Sequence, residues 1–400
     1  MDNVLEQTAN ERLKAQMRYY KSKITDKYNR AHSYSKRMIL ARELINFSTL
    51  YKEIFGYDKE LDWDYDQGIY EDCDKLEYEE FISLLEHTNE NEDFYRNLSD
   101  NILKIFKESK YPLYKYYNGL ILSNPKLDKY TMLNIMLSFL KSFDYETYEL
   151  FKNKIINDEV LDINTDPALS GFAFSFASIN KSYILLNELF DDNLFKYETI
   201  IHEFGHIFEM QLAQDSGNNI LIEKGLETPY SEVASCFFQY AFINYLKENK
   251  IYTNYANQCL DMYYKEILLY FSMIRILSEF PKIEVDPDGT LDFLNTEIIK
   301  FGDKIKEELN YYELFNYEDT FEFRMPYIYG MGHLLSLYLY ENYKTNPNFI
   351  ADFKKALLEY PFVGDIFAFE RVGITKEELI KGDILRKVLK KQTEDIIEGE

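Results

Sequence analysis

Residues 170–206 read SGFAFSFASINKSYILLNELFDDNLFKYETIIHEFGH, and the rest of the chain is best read outward from them. SGFAFSFAS (170–178) alternates small and aromatic side chains, and SYILLNE (182–188) follows after Ile179-Asn180-Lys181. Alternation with a period of two, a short polar break and a second apolar run predict strand, turn, strand. From Phe195 the pattern becomes helical and ends on His202-Glu203-Phe204-Gly205-His206. Positions i and i+4 of a helix share a face, so two imidazoles placed there can reach one Zn²⁺. Glu203 is turned off that axis but stays near enough to act on water beside the metal. The chain has five histidines, and chance would give this spacing in fewer than about one such chain in a hundred. The competing reading is two core histidines among Ile200, Ile201, Phe204, Ile207 and Phe208. Buried imidazoles need partners, and a metal supplies one.

Zinc requires a third protein ligand and an open fourth position. No histidine lies between His206 and His333, so an acidic ligand is sought downstream. Thr228-Pro229 reads as a helix start, with Pro at the first helical position. Glu232 falls in its first turn, within PYSEVASCFFQYAF, whose remainder is almost wholly apolar and therefore predicted buried. A lone carboxylate in such a helix calls for a counter-charge; the alternative is a first-turn Glu complementing the helix dipole. Glu223 and Glu227 are further candidates on the preceding loop. Gly205 sits mid-helix at a cost of about 1 kcal/mol against Ala, which a close-packed neighbour or simple tolerance would explain.

Further out, residues 1–55 predict long helices, with Leu40, Leu44, Phe47 and Leu50 at helical spacing. Residues 57–93 are densely acidic and aromatic. Asp62, Asp64 and Asp66 suggest a calcium loop, but Gln67 stands where its glycine belongs and Cys73 where its final Glu belongs, so a solvated acidic loop is expected. Helical periodicity returns over 94–160. Asp286-Pro287-Asp288-Gly289 predicts a turn with Thr290 as an N-cap, and the polar tail after Lys390 is expected to fray. The outcome is a mainly α fold: a helical lobe over 1–160, then a lobe over 161–400 holding the small sheet, the HExxH helix and the C-terminal helices.

Composition narrows the function. With 45 basic and 69 acidic residues the net charge is −24, which repels nucleic acid and anionic lipid. Three cysteines are too few for a disulfide framework or a cysteine zinc site. The opening MDNVLEQTANERLKAQ has no apolar core, and no window of about 18 uncharged apolar residues follows, so a cytoplasmic protein without membrane partners is expected.

Taken together, the 170–206 run, SEVAS at 231–235, RILSEF at 275–280 and MPYIYGMG at 325–332 resemble the thimet oligopeptidase / oligoendopeptidase F family of zinc peptidases. The order of strands, HExxH helix and second acidic helix is similar, and the 25 residues between His206 and Glu232 are close to the family spacing. The resemblance implies two helical lobes around a substrate channel, with a small β-sheet beside the HExxH helix. It implies one Zn²⁺ per chain held by His202, His206 and Glu232, with Glu203 as general base. Tyr329 matches a tyrosine that hydrogen-bonds the transition-state oxyanion, and Tyr327 is a second candidate; from the residues alone, both could be ordinary packing in a loop. The strands, through Gly171, Phe172, Ala173 and Phe174, would bind an oligopeptide backbone by strand addition.

The sequence also departs from that family. Glu322, Phe323 and Arg324 stand where a histidine usually precedes the tyrosine, so His333 either substitutes for it or is a core histidine. Phe238-Gln239 replaces an Asn-Glu pair, Glu209 stands where a histidine is common, and the chain is short in its N-terminal lobe. The expected function is a zinc endopeptidase of short unstructured peptides, working through a Glu203-activated zinc-bound water. One rival is a zinc carboxypeptidase on a similar scaffold, with Arg275 or Arg324 gripping the terminal carboxylate. The other is a catalytically silent zinc-containing peptide-binding protein, against which Glu203 argues, since a base does not hold the metal. Oligomeric state is left open.

Overall fold

The computed structural model describes residues 2–56, 67–109, 111, 128–157, 159–163, 171–187, 194–216, 228–277, 320–363 and 366–398. Along the chain these form α1 (Asp2–Arg30), α2 (Tyr34–Phe55), α3 (Gln67–Glu90), α4 (Glu92–Ser109), α5 (Lys129–Phe143) and α6 (Tyr145–Ile156). Then come β1 (Val160–Ile163), β2 (Gly171–Phe176), β3 (Lys181–Asn187) and α7 (Leu194–Asp215). The remainder is α8 (Val233–Glu248), α9 (Thr253–Leu277), α10 (Thr320–Thr345), α11 (Phe349–Val363), α12 (Lys376–Lys381) and α13 (Asp383–Glu398). The fold is mainly α with one small sheet among the described residues, as the sequence predicts. The chain divides into two compact units, Met1–Glu80 with Asp128–Leu226 and Phe81–Leu127 with Glu227–Glu400. The boundary expected at 160 falls inside the first of them.

In the first unit, α1 and α2 pack together and build a core with the sheet. Leu40, Leu44, Phe47 and Leu50 of α2 are each at most 3% exposed. The sheet has strand order β1-β3-β2. β2 and β3 form the expected antiparallel hairpin, from Gly171 opposite Leu186 to Phe176 opposite Lys181. Asn180 closes its turn in the left-handed region at φ 53, which asparagine tolerates better than most residues. The four-residue β1, too short to show alternation, runs parallel to β3. Buried Glu159, just before β1, pairs with Lys154 at 2.6 Å and Lys181 at 2.7 Å.

Alternation gives β2 two faces. Phe176 meets Phe47 of α2 edge-on, with ring centroids 5.1 Å apart, and Phe174 packs on the same core. On the opposite face, a Cβ at Gly171 would lie 2.7 Å from Thr199 Cγ2 of α7 and 3.0 Å from the Leu185 carbonyl oxygen. Glycine here lets α7 lie directly against the sheet, which fixes the helix carrying the two histidines. Phe204 of α7 packs edge-on to Phe151 of α6 at 4.9 Å.

The second unit is built around α8, which is apolar on all sides and buried accordingly. Both α9 and α10 pack on it, and α4 packs on α9. In α10, Met331, Leu334, Leu335 and Leu337 are at most 1% exposed. The equally buried Ser336 satisfies its hydroxyl by donating to the Gly332 carbonyl at 2.7 Å.

Two expectations are corrected. Residues 67–90 are helix and not part of an acidic loop: Ile69, Cys73, Leu76 and Leu84 are buried at helical spacing beneath the surface charge. The tail after Lys390 continues α13 to Glu398. There Gln392, 1% exposed, donates to the Asn257 carbonyl at 2.7 Å and accepts from Lys247 at 3.2 Å. Asp62, Asp64, Asp66 and the 286–290 turn lie outside the described residues. The three cysteines are buried and form no disulfide. No described helix is long and apolar enough to cross a membrane.

Candidate active site

α7 has an apolar back. Ile200, Ile201, Phe204, Ile207 and Phe208 are buried, whereas His202, Glu203 and His206 are half-buried. The two imidazoles are neighbours one helical turn apart, with ring centroids 5.3 Å apart and planes at 78°. Nitrogen donors at this spacing on a sheet-backed helix suit a zinc ion. Gly205 is buried on the same helix.

Glu232 lies in the other unit. Residues 229–232 form turns and α8 begins only at Val233, so Pro229 sits in the turn and not at the first helical position. Glu232 occupies the N-cap position, where its carbonyl accepts the Cys236 N–H at 3.0 Å. Its side chain makes no capping bond; instead, Oε2 accepts the Ser235 hydroxyl at 2.6 Å, with the residue 8% exposed. A buried carboxylate at this point fits the role of an oxygen ligand, because a cation beside it would offset the cost of burying its charge. One turn on, burial pushes the Cys236 thiol well up, and Glu232 and Glu266 add to the effect.

The segment MPYIYGMG, expected as a loop, is the interior of α10. Its glycines are sites of helix approach. A Cβ at Gly332 would lie 2.9 Å from the Glu232 carbonyl oxygen, 3.0 Å from Cys236 Sγ and 3.0 Å from Glu232 Cβ. At Gly330 it would meet Ile274 Cδ1 and Tyr270 Cβ, both at 3.2 Å. Gly332→Ala is therefore expected to destabilise the protein by about 1–3 kcal/mol, the usual cost of overpacking, less about 1 kcal/mol from better helix propensity. Gly330→Ala, facing side chains that can yield, should be nearer neutral. Thermal denaturation of both variants checks this; a Gly332→Ala protein with a raised Tm would rule out the close approach.

α10 also separates the two tyrosines. Tyr327 is 5% exposed and packs edge-on to Tyr95 of α4 at 5.2 Å; burial pushes its hydroxyl up, with a smaller contribution from Glu92. Tyr329 is half-buried, its ring stacked on Tyr270 at 5.8 Å and 24°. His333 is 4% exposed, with Nδ1 2.7 Å from the Tyr329 carbonyl oxygen and Nε2 3.0 Å from Glu266 Oε2. Sequence reasoning missed Glu266, Tyr270 and Cys236. Glu266 carries the same signal that picked out Glu232, a lone acid in an apolar run (YYKEILLYF).

Arg275 is already paired with Asp100, Nε to Oδ1 at 2.7 Å, and the side chains of Glu322, Phe323 and Arg324 lie outside the described residues. β2 is an edge strand of the described sheet, with Gly171, Phe172, Ala173 and Phe174 half-buried.

No known protein family and no curated protein matches the chain in sequence. Solved structures do match it. One is a protein from Chlamydophila abortus designated a peptidase, with a TM-score of 0.54 at 13% identity, over 95% of this chain and 63% of that one. The chain has the fold of these peptidases. A protein designated an oligoendopeptidase F aligns with a TM-score of 0.51 at 11% identity, over 96% of this chain and 68% of that one. PZ peptidase A with an inhibitor aligns with a TM-score of 0.50 at 12% identity, over 89% and 64%. The chain thus spans less than two thirds of the Chlamydophila protein's length.

Proposed function

We propose that the protein is a zinc-dependent endopeptidase of short, unstructured peptides. The observation that carries this reading is the pair of half-buried imidazoles one turn apart on α7 with Glu203 between them, in a chain with a peptidase fold. His202, His206 and Glu232 would hold one zinc ion, which when bound supplies a Lewis acid that acidifies water and polarises a carbonyl. Glu203 takes the proton of the attacking water on its carboxylate and returns it to the leaving amine. Tyr329 donates its O–H to the developing oxyanion. The outer edge of β2 pairs with the extended peptide backbone.

The endopeptidase reading is preferred to the carboxypeptidase one because Arg275, a candidate for gripping a terminal carboxylate, is engaged by Asp100. Digestion of a mixed peptide library, read by mass spectrometry with and without a chelator, tests both. Internal cleavage that stops on chelation is expected. Single residues released from C-termini would establish the rival, and peptide binding without cleavage would establish a silent binding protein.

Tyr329→Phe removes a hydroxyl and keeps the ring. Loss of one oxyanion donor costs about 2.7–4 kcal/mol, roughly a hundred- to a thousandfold in kcat, and should change KM much less because the bond strengthens in the transition state. Tyr327→Phe, deep in the helical core, is the control. If kcat of Tyr329→Phe stays within about threefold of the parent, too small for a lost donor, Tyr329 does not hold the oxyanion.

A further inference from the structure

We propose that Glu266 is a positioning residue for Tyr329, acting through His333; this rests on Tyr329 being the oxyanion donor. A buried imidazole needs partners for both ring nitrogens. The Tyr329 carbonyl oxygen only accepts, so Nδ1 of His333 donates to it across 2.7 Å, with the Cys236 sulfur also near Nδ1 at 3.7 Å. Nε2 is taken by Glu266 Oε2 at 3.0 Å. With both nitrogens engaged inside the protein, His333 has no proton to offer a substrate. It is a strut, not a replacement for the missing upstream histidine.

The strut is braced by α9. The His333 ring lies 4.3 Å from that of Tyr263 and 5.7 Å from that of Tyr270, centroid to centroid, and Tyr270 is stacked on Tyr329. Glu266 and Tyr270 stand one turn apart on α9. The first holds the Tyr329 backbone through the imidazole, and the second holds the ring. α10 needs such support at this point. Pro326, three residues before Tyr329, has no N–H to give the preceding turn. Glu266 would thus set the angle at which α10 presents the Tyr329 hydroxyl. A displacement of about 1 Å in a positioned group can cost a hundredfold in rate.

The test is a double-mutant cycle between Glu266→Ala and Tyr329→Phe, with kcat, KM and bound zinc measured for each protein. Glu266→Ala should lower kcat by about ten- to a hundredfold, leaving KM and zinc content nearly unchanged. Glu266→Gln, whose amide N–H can donate to Nε2 of an imidazole that donates from Nδ1, should recover most of the loss. In the Tyr329→Phe background Glu266→Ala should have little further effect. Equal losses in both backgrounds would overturn the proposal, since Glu266 would then act without Tyr329. If the parent cleaves no peptide, or Tyr329→Phe is harmless, the catalytic reading of Tyr329 fails instead. Nitration by tetranitromethane, mapped by mass spectrometry, then decides the positioning role. Glu266→Ala should change labelling of Tyr329 relative to Tyr327, and an unchanged ratio would refute it.

Discussion

Glu203→Gln is expected to keep the fold and the zinc while lowering kcat by at least about a thousandfold. The substitution is nearly isosteric and Glu203 is only half-buried, so neither packing nor solvation changes much. It replaces the carboxylate by an amide that cannot take a proton at neutral pH. Since Glu203 is a base and not a ligand in the proposed site, metal content should stay at one zinc per chain while turnover collapses. This combination separates chemistry from structure: a ligand variant loses both, and a misfolded one loses both together with its cooperative melting. Near-normal turnover in Glu203→Gln would place the base elsewhere, and absence of cleavage in both proteins despite peptide binding would favour the silent-binding reading. Metal analysis and steady-state kinetics on the same preparations distinguish the cases.

The parts of this molecule legible in its sequence are those where one local pattern maps onto one local structure. Alternation in SGFAFSFAS gives β2, the HExxH spacing places two imidazoles on one turn of α7, and the apolar run after Glu232 gives the buried α8. The parts that escaped depend on partners far away in sequence. β1 is a strand only because β3 lies beside it. Gly330 and Gly332 resemble loop residues in a string of letters, yet both lie inside α10, and at Gly332 the start of α8 comes too close for a Cβ. The acid-rich 67–90 segment hides its buried stripe among surface charges. Glu266 becomes interesting only once His333 is seen to need a second partner. Each unit is likewise assembled from two separated segments of the chain, through internal contacts that no contiguous window contains.

His202→Ala and His206→Ala should each abolish tight zinc binding, and with it all peptidase activity. Losing an outer-shell partner typically costs about 10- to 100-fold in metal affinity; losing a ligand should cost more, because two donors cannot complete a tetrahedral zinc site. The rings stand one turn apart on a helix packed against the sheet, so alanine at either position removes an imidazole without leaving a large core cavity. The melting temperature measured in chelator should therefore be similar for parent and variants, while the stabilisation that zinc gives the parent disappears, as expected for a ligand that binds only the folded state. Glu232→Gln probes the third donor; its amide can still accept the Ser235 hydroxyl, so any loss of zinc reports coordination more than packing. Elemental analysis after dialysis, paired with melting curves at a series of zinc concentrations, reads both quantities. If the two alanine variants bind zinc as the parent does, or if parent cleavage is indifferent to chelation, the paired imidazoles of α7 are not the metal site and the peptidase mechanism built on them falls.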